Sequence, residues 1–233
     1  MVTPSRLLSC IPDWTCARIS DVRMPKLNPR WILKPAVFLI CLVPMVWLAW
    51  DTVSGNLTAN WLEDFRDRTG IWTLRFLMIT LSVTPLRRIT GWHSLIRFRT
   101  MIGLFTFFHS FLHFITYIWL DQFFAFDEIL KDITKRPFII SGFAGFFLLI
   151  PLAITSTKKW IGRLGGKRWQ MLHRFIYVSA VAGVLHYYWR VKLDVRDPVA
   201  YGVLLAVLLG FRAFSRLNLF KPLVARVGSE KSA

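Results

Sequence analysis

The chain has 233 residues, 55% of them hydrophobic, and a formal net charge of +17 at pH 7. So apolar a composition is unusual for a soluble domain and indicates a membrane protein. The positive charge alone would suit a nucleic-acid-binding protein, but the basic residues lie between apolar runs and form no single patch, so we expect no nucleic-acid partner.

The chain begins with residues 1–30, which contain prolines and scattered charges and are predicted to form a flexible, basic cytoplasmic extension. Six apolar runs follow, each long enough to be a candidate membrane-spanning helix. They cover residues 35–50, 69–86, 100–120, 137–157, 169–189 and 198–214. We therefore predict an all-α membrane protein, a bundle of six transmembrane helices over residues 31–215, followed by a basic cytoplasmic tail at 216–233.

The connections between these runs alternate in charge. Basic residues dominate before the first run, between the second and third, between the fourth and fifth, and after the last, whereas acidic residues concentrate in the first and third connections. Positive charge is retained on the cytoplasmic side during membrane insertion. Both termini are therefore predicted to be cytoplasmic, and the third and fifth helices to run outward.

Four of the five histidines fall within the predicted spans: His109, His113, His173 and His186. Ionisable residues in membrane spans are costly and are functional candidates by default, although an interhelical hydrogen bond is the simpler interpretation of each one alone. A neutral imidazole is a good axial ligand for haem iron, and a helix bundle provides an apolar slot for the porphyrin. We therefore predict a b-type haem, because no CxxCH motif for covalent attachment is present.

The depths of the histidines suggest how they pair. His113 and His186 match in depth and are predicted to ligate an outer haem, while His173 would face a second, inner haem whose other ligand stays open. His173 and His186 are 13 positions apart, which is roughly 20 Å along a helix and about 140° around it. Either Gly183 permits a local irregularity, or the two sites lie at different azimuths, or only one of these histidines binds haem.

Other side chains leave alternatives open. His109 and His113 are one turn apart and could instead ligate a metal ion, although no carboxylate or cysteine nearby completes such a site. Arg75 and Arg174 lie in or near the spans, where each could contact a haem propionate or extend to the membrane interface. No nucleotide-binding motif is present, so electrons must come from another molecule.

Three stretches of the chain match a known family. They are LIRFRTMIGLFTFFHSFLHFITY at 95–117, DITKRPFIISG at 132–142 and LAITSTKKWIGRLGGKRWQMLHRFIYVSAVAGVLHYYWRVK at 152–192. These stretches resemble the MsrQ family, formerly YedZ, of haem-binding membrane subunits in bacterial periplasmic methionine sulfoxide reductase systems. The family is related to the membrane domain of ferric reductases and NADPH oxidases. The resemblance covers roughly residues 31–215.

The resemblance implies a multi-pass protein of the bacterial inner membrane that takes electrons from the quinol pool. It implies a periplasmic partner, the molybdopterin enzyme MsrP, which carries out the sulfoxide chemistry, so no catalytic residue for that step is expected here. Family haem ligands map onto His113, His173 and His186, and the family's helix-three arginine maps onto Arg99, near the inner haem. FMN is a further implied cofactor, without a flavin pocket that the residues identify.

Three alternatives remain at this point. A stand-alone ferric reductase would work without a dedicated partner. A separate cytosolic flavin reductase could replace quinol as the electron donor. A transporter or channel that uses His109 and His113 as transit ligands for a metal ion would contain no haem and would be colourless.

Overall fold

A computed structural model describes residues 29–216, and within this range the chain is helical with no β-strand. The predicted cytoplasmic extension and tail lie almost wholly outside the described residues. The helices are α1 (Pro29–Val53), α2 (Trp61–Thr90), α3 (Ile96–Ile115), α4 (Phe126–Lys135), α5 (Pro137–Ile154), α6 (Lys158–Leu164), α7 (Gly166–Leu172), α8 (Phe175–Arg190) and α9 (Arg196–Arg216). A 3₁₀ turn, His93–Leu95, precedes α3, and a π-helical segment, Thr116–Asp121, follows it.

Five helical segments are long and apolar enough to cross a membrane: Leu33–Val53, Trp61–Thr90, His93–Asp121, Pro137–Ile154 and Arg196–Ser215. The prediction of an all-α, multi-pass membrane protein is therefore confirmed. The predicted fifth run is not one helix, because it divides into α7 and α8. With 16 residues, α8 is about 24 Å long, which is shorter than a hydrocarbon core of about 30 Å.

Local sequence explains where the central helices begin. The Asn60 side chain caps α2 by accepting a hydrogen bond from the Glu63 amide, and the acidic Glu63 and Asp64 lie favourably in its first turn. Pro137 occupies the first turn of α5, where its missing amide hydrogen costs nothing. Both α2 and α5 begin at the same end of the bundle.

Every Asp and Glu in residues 29–216 lies at that end of the bundle, in the α1–α2, α3–α5 and α8–α9 regions. We call it the outer end, since the charge pattern predicts that it faces away from the cytoplasm. The opposite, inner end carries basic residues such as Arg87, Arg88, Lys158 and Lys159. Acidic residues in the described range are therefore confined to one end of the bundle, whereas basic residues occur at both ends.

The most extensive packing joins α2 to α3 and α5 to α8. In each pair, the first helix runs toward the inner end of the bundle and the second runs toward the outer end. Leu77 and Leu81 of α2 and Ala180 of α8 belong to one buried cluster, to which α9 contributes Leu205 and Leu208. The two helix pairs therefore face each other across a shared interior, and the cavities described below lie there.

Candidate haem-binding cavities

The outer cavity lies between α2, α3, α5 and α8 and has an empty volume of about 1280 Å³, its open mouth included. Its walls are mainly apolar and include Leu74, Leu77, Phe146 and Leu149. The α2–α3 pair and the α5–α8 pair leave this space open between their facing surfaces. Such a concave, apolar space with a few polar groups is typical of a cofactor site.

His113 of α3 and His186 of α8 both line the outer cavity, and their ring centroids are 5.9 Å apart with planes at 86°. The Nδ1–H of His113 donates to the Arg66 carbonyl oxygen at 2.8 Å, and the Nδ1–H of His186 donates to the Phe138 carbonyl oxygen at 2.7 Å. A carbonyl oxygen can only accept, so Nδ1 carries the hydrogen in both rings. The Nε2 lone pair of each ring is therefore available to a metal ion.

This donor set fits haem iron. Two neutral imidazoles from different helices meet in one apolar cavity, and each is oriented by a backbone acceptor. The two ring centroids are only 5.9 Å apart, so both imidazoles would reach one bound group in this cavity. The structure thus brings together the two histidines that the sequence analysis paired by depth.

Three arginines surround the mouth of the outer cavity, and each contacts a carboxylate. Arg66 pairs with Asp121 at 2.8 Å, Arg190 pairs with Asp67, and Arg136 lies 3.4 Å from Asp132. These arginines are not among the residues predicted from sequence, although Arg66 and Arg136 lie near span ends close to acidic residues, which is a signal that the sequence offers. Their ion pairs with aspartates therefore fix three guanidinium groups around the apolar cavity.

The inner cavity has an empty volume of about 1350 Å³ and lies between α2, α3, α5, α7 and α8. Arg99, His173 and Arg174 line it, and Leu149 borders both cavities. No Asp or Glu lines it among residues 29–216. The sequence-predicted His173 and Arg99 therefore face one space, which is distinct from the space between His113 and His186.

His173 is held differently from the other two histidines. The Thr155 hydroxyl donates to the Pro151 carbonyl at 2.6 Å and lies 3.1 Å from His173 Nε2, so Nε2–H is the donor in that second contact. The Trp169 ring packs against the imidazole, with centroids 4.0 Å apart and planes tilted by 30°. In this conformation the ring uses Nε2 for a protein contact.

The angular conflict between His173 and His186 is resolved by a break in the helix. α7 ends at Leu172 and α8 begins at Phe175, so His173 lies in the turn between them and not on the helix of His186. The two histidines consequently line different cavities. Gly183, where the sequence analysis considered an irregularity, lies inside the continuous α8.

The remaining predicted arginines differ in position. Arg174 lines the inner cavity, whereas Arg75 is exposed on α2, where its Nε lies 3.3 Å from the Tyr201 hydroxyl and its guanidinium covers the Trp72 ring. Arg212 of α9, which the sequence analysis did not propose, donates to the Leu81 carbonyl at 3.0 Å and to the hydroxyl of Tyr177, an inner-cavity residue.

His109 lines neither cavity. It is 1% exposed, its Nδ1–H donates to the Phe105 carbonyl of its own helix at 3.0 Å, and its Nε2 is buried without a hydrogen-bond partner. The rings of Phe76, Phe105 and Phe108 surround it. Within the described part of the chain, no cluster of three His, Cys, Asp or Glu residues could hold a metal ion.

The family described as "Ferric reductase like transmembrane component" matches residues 69–184, the part of the chain that carries His109, His113 and His173. The protein therefore contains a ferric reductase-like transmembrane region. The chain is 51% identical over 185 residues to the protein-methionine-sulfoxide reductase heme-binding subunit MsrQ of Herminiimonas arsenicoxydans, covering 78% of this chain and 85% of that protein. It is 48% identical over 198 residues to the MsrQ of Azospira oryzae, covering 84% and 85%.

The MsrQ of Rhodospirillum rubrum is 48% identical over 177 residues, which cover 76% of this chain and 85% of the relative. The chain therefore belongs to the MsrQ family, as its sequence motifs predicted. No solved structure matches it.

Proposed function

We propose that the chain is the haem b-binding, electron-transferring membrane subunit of a methionine sulfoxide reductase system in a bacterial inner membrane. The observation that carries this proposal is the pairing of His113 and His186 across the outer cavity, each with Nδ1–H on a backbone carbonyl. Family membership supports the same conclusion, because the relatives are named as heme-binding subunits of that reductase.

In this proposal the protein supplies ligands, orientation and a dry environment. The carbonyls of Arg66 and Phe138 fix the tautomer and ring direction of the two ligands. Bound haem supplies an iron centre that carries one electron at a time. The apolar walls keep water from the centre, and the arginines at the mouth offer partners for the propionates.

The inner cavity is proposed to hold a second haem through His173, with Arg99 and Arg174 as its cationic neighbours. Two centres at different depths would let electrons cross the bilayer in two steps instead of one. Arg75 stays a predicted propionate contact, and its exposed position would require a propionate at the surface of α2. FMN stays an implication of the family resemblance alone.

The electron donor is proposed to be quinol and the acceptor the periplasmic molybdopterin subunit MsrP, which carries the sulfoxide chemistry. The relatives' printed name, a subunit of a protein-methionine-sulfoxide reductase, supports a partner of this kind. We propose that the acceptor docks at the outer end, since the outer cavity is lined there by Asp67, Asp121 and Arg190, which offer charged groups of both signs.

The first test is the visible spectrum of the detergent-purified protein, oxidised and dithionite-reduced, with haem quantified per chain. A low-spin b-type spectrum with one or two haems per chain is expected. A colourless protein after expression with adequate haem supply would contradict the proposal and favour the transporter hypothesis. Acid extraction of the same sample would report any bound flavin.

A stand-alone ferric reductase is the second candidate, because the matching family is described as ferric reductase-like. The two functions differ in their acceptor. Protein reduced by a quinol analogue should be reoxidised by MsrP together with a protein containing methionine sulfoxide, and much more slowly by ferric citrate. The opposite preference would identify a ferric reductase.

A further inference from the structure

Each of the two outer histidines packs directly against a glycine of a neighbouring helix. A Cβ added to Gly70 of α2 would lie 3.0 Å from Cε1 and 3.1 Å from Nδ1 of His113. A Cβ added to Gly142 of α5 would lie 2.6 Å from Nδ1 and 2.9 Å from Cε1 of His186. Neither glycine has a positive φ, so the space for the imidazole, and not the backbone conformation, requires glycine at both positions.

The helix that provides each glycine also provides the carbonyl that orients the ring. His113 donates to Arg66, four residues before Gly70, and His186 donates to Phe138, four residues before Gly142. In an α-helix, the carbonyl of residue i points toward the amide of residue i+4. An imidazole can reach that carbonyl from the side only if residue i+4 has no Cβ in its path.

The same arrangement occurs in two separate parts of the sequence, the α2–α3 pair and the α5–α8 pair. These are also the pairs with the most extensive packing. An accidental close contact would not be expected to repeat with the same carbonyl-to-glycine spacing on two helices. The repetition therefore points to a requirement of the histidine site.

We propose that Gly70 and Gly142 are positioning residues, which let each imidazole reach its carbonyl and so hold Nε2 in the orientation that binds iron. This inference rests on the proposed function of the outer cavity. Gly70 and Gly142 would thus have a steric role in the site, although neither contributes a side chain.

Gly202 of α9 offers a matched control. It lines neither cavity, and a Cβ there would lie 3.7 Å from the Val184 side chain of α8, an ordinary van der Waals distance. Alanine is a better helix former than glycine, so helix propensity alone predicts that all three Gly→Ala changes stabilise the protein. A steric effect on histidine predicts opposite results for Gly142 and Gly202.

The experiment compares G142A, G70A and G202A by haem per chain, visible spectrum and EPR of the ferric protein. G142A is expected to lose outer haem several-fold. G70A, with its longer contacts, should retain more haem but show a changed low-spin EPR signal, and G202A should match the wild type. Added imidazole should restore a low-spin spectrum to any outer haem that G142A retains, because it replaces the displaced His186.

A double-mutant cycle tests the same contact without haem. Melting temperatures of haem-free wild type, G142A, H186A and G142A/H186A are compared, since neighbouring residues in contact show non-additive effects. If the alanine methyl collides with the His186 ring, G142A lowers the melting temperature in the wild-type background but not in H186A. The cycle also covers the case in which G142A folds too poorly to load haem.

Equal haem content and EPR in G142A and G202A, or additive melting shifts in the cycle, would overturn the inference. A wild-type protein without haem would overturn the proposed function instead, and the melting cycle would then still decide whether Gly142 positions His186. The two failures are therefore distinguishable.

Discussion

The outer and inner cavities lie in the same helix bundle and share Leu149 in their walls, but they differ in ligands and charge. The outer cavity has two histidines facing each other, and its three arginines each contact an aspartate. The inner cavity has one histidine, two arginines and, among residues 29–216, no lining carboxylate.

The two cavities therefore differ in how many parts of a haem site they contain. The outer cavity has both ligands, their orienting carbonyls and a balanced set of charges. The inner cavity has an uncompensated positive charge, which favours an anionic ligand or cofactor group, and only one imidazole. No second histidine lines it among residues 29–216, so the structure leaves the second iron ligand of an inner haem unassigned, and the protonated Arg99 guanidinium can act there only as a cation.

Removing an outer ligand should have the largest effect. His113→Ala or His186→Ala is expected to abolish binding of the outer haem, because each change leaves only one imidazole in the outer cavity. The measurement is haem per chain, together with the visible spectrum of the reduced protein. His109→Leu is the matched control, since His109 is a buried histidine of the same helix that faces phenylalanines. Normal haem content in both alanine variants would exclude the His113–His186 pair.

His173→Ala should have a smaller effect, restricted to the inner cavity. Haem per chain is expected to fall while the spectrum of the outer haem is unchanged, because His173 lines only the inner cavity. Redox titration would resolve the loss of one component. A wild-type protein with a single haem that His173→Ala leaves intact would show that the inner cavity holds something else.

Charge substitutions should distinguish the two cavities by potential. Arg99→Gln is expected to lower the midpoint potential of the inner haem by on the order of 59 mV, a tenfold change for a one-electron couple, because reduction adds negative charge that a cation stabilises. Arg99→Lys keeps the charge and should keep the potential.

The outer counterpart of that experiment removes a whole ion pair. Asp67→Asn with Arg190→Gln deletes one charge of each sign and should change the outer potential by less than Arg99→Gln changes the inner one. Equal shifts in the two redox titrations would contradict the contrast in charge between the cavities.

Thr155→Val should give the smallest effect. Its hydroxyl accepts the Nε2–H of His173, and this bond must be released before Nε2 can bind iron. A neutral hydrogen bond contributes about 1 kcal/mol, so removing the acceptor should raise affinity for the inner haem by up to about fivefold. Haem titration of the apoprotein measures this, and a loss of affinity would show that Thr155 orients the ring for binding.

The residues of the outer site show how far sequence reasoning extended. His113 and His186 could be paired because helix rise converts positions in the chain into depth. The Arg66 and Phe138 carbonyls could not be selected, since every residue has a carbonyl and only helix rotation decides which one meets an imidazole. Gly70 and Gly142 were likewise hidden among ordinary transmembrane glycines.

Amino-acid composition, apolar run length and the alternation of charge by themselves determined that this is an all-α membrane protein with histidines inside its apolar runs, and its motifs gave the resemblance to the MsrQ family. These properties depend on the local preference of each segment for lipid or water. The tertiary structure alone decided that α7 and α8 are separate, that His173 and His186 line different cavities, and that His109 faces phenylalanines. Those outcomes depend on the stagger, rotation and interruption of helices, which are set by packing between segments far apart in the chain.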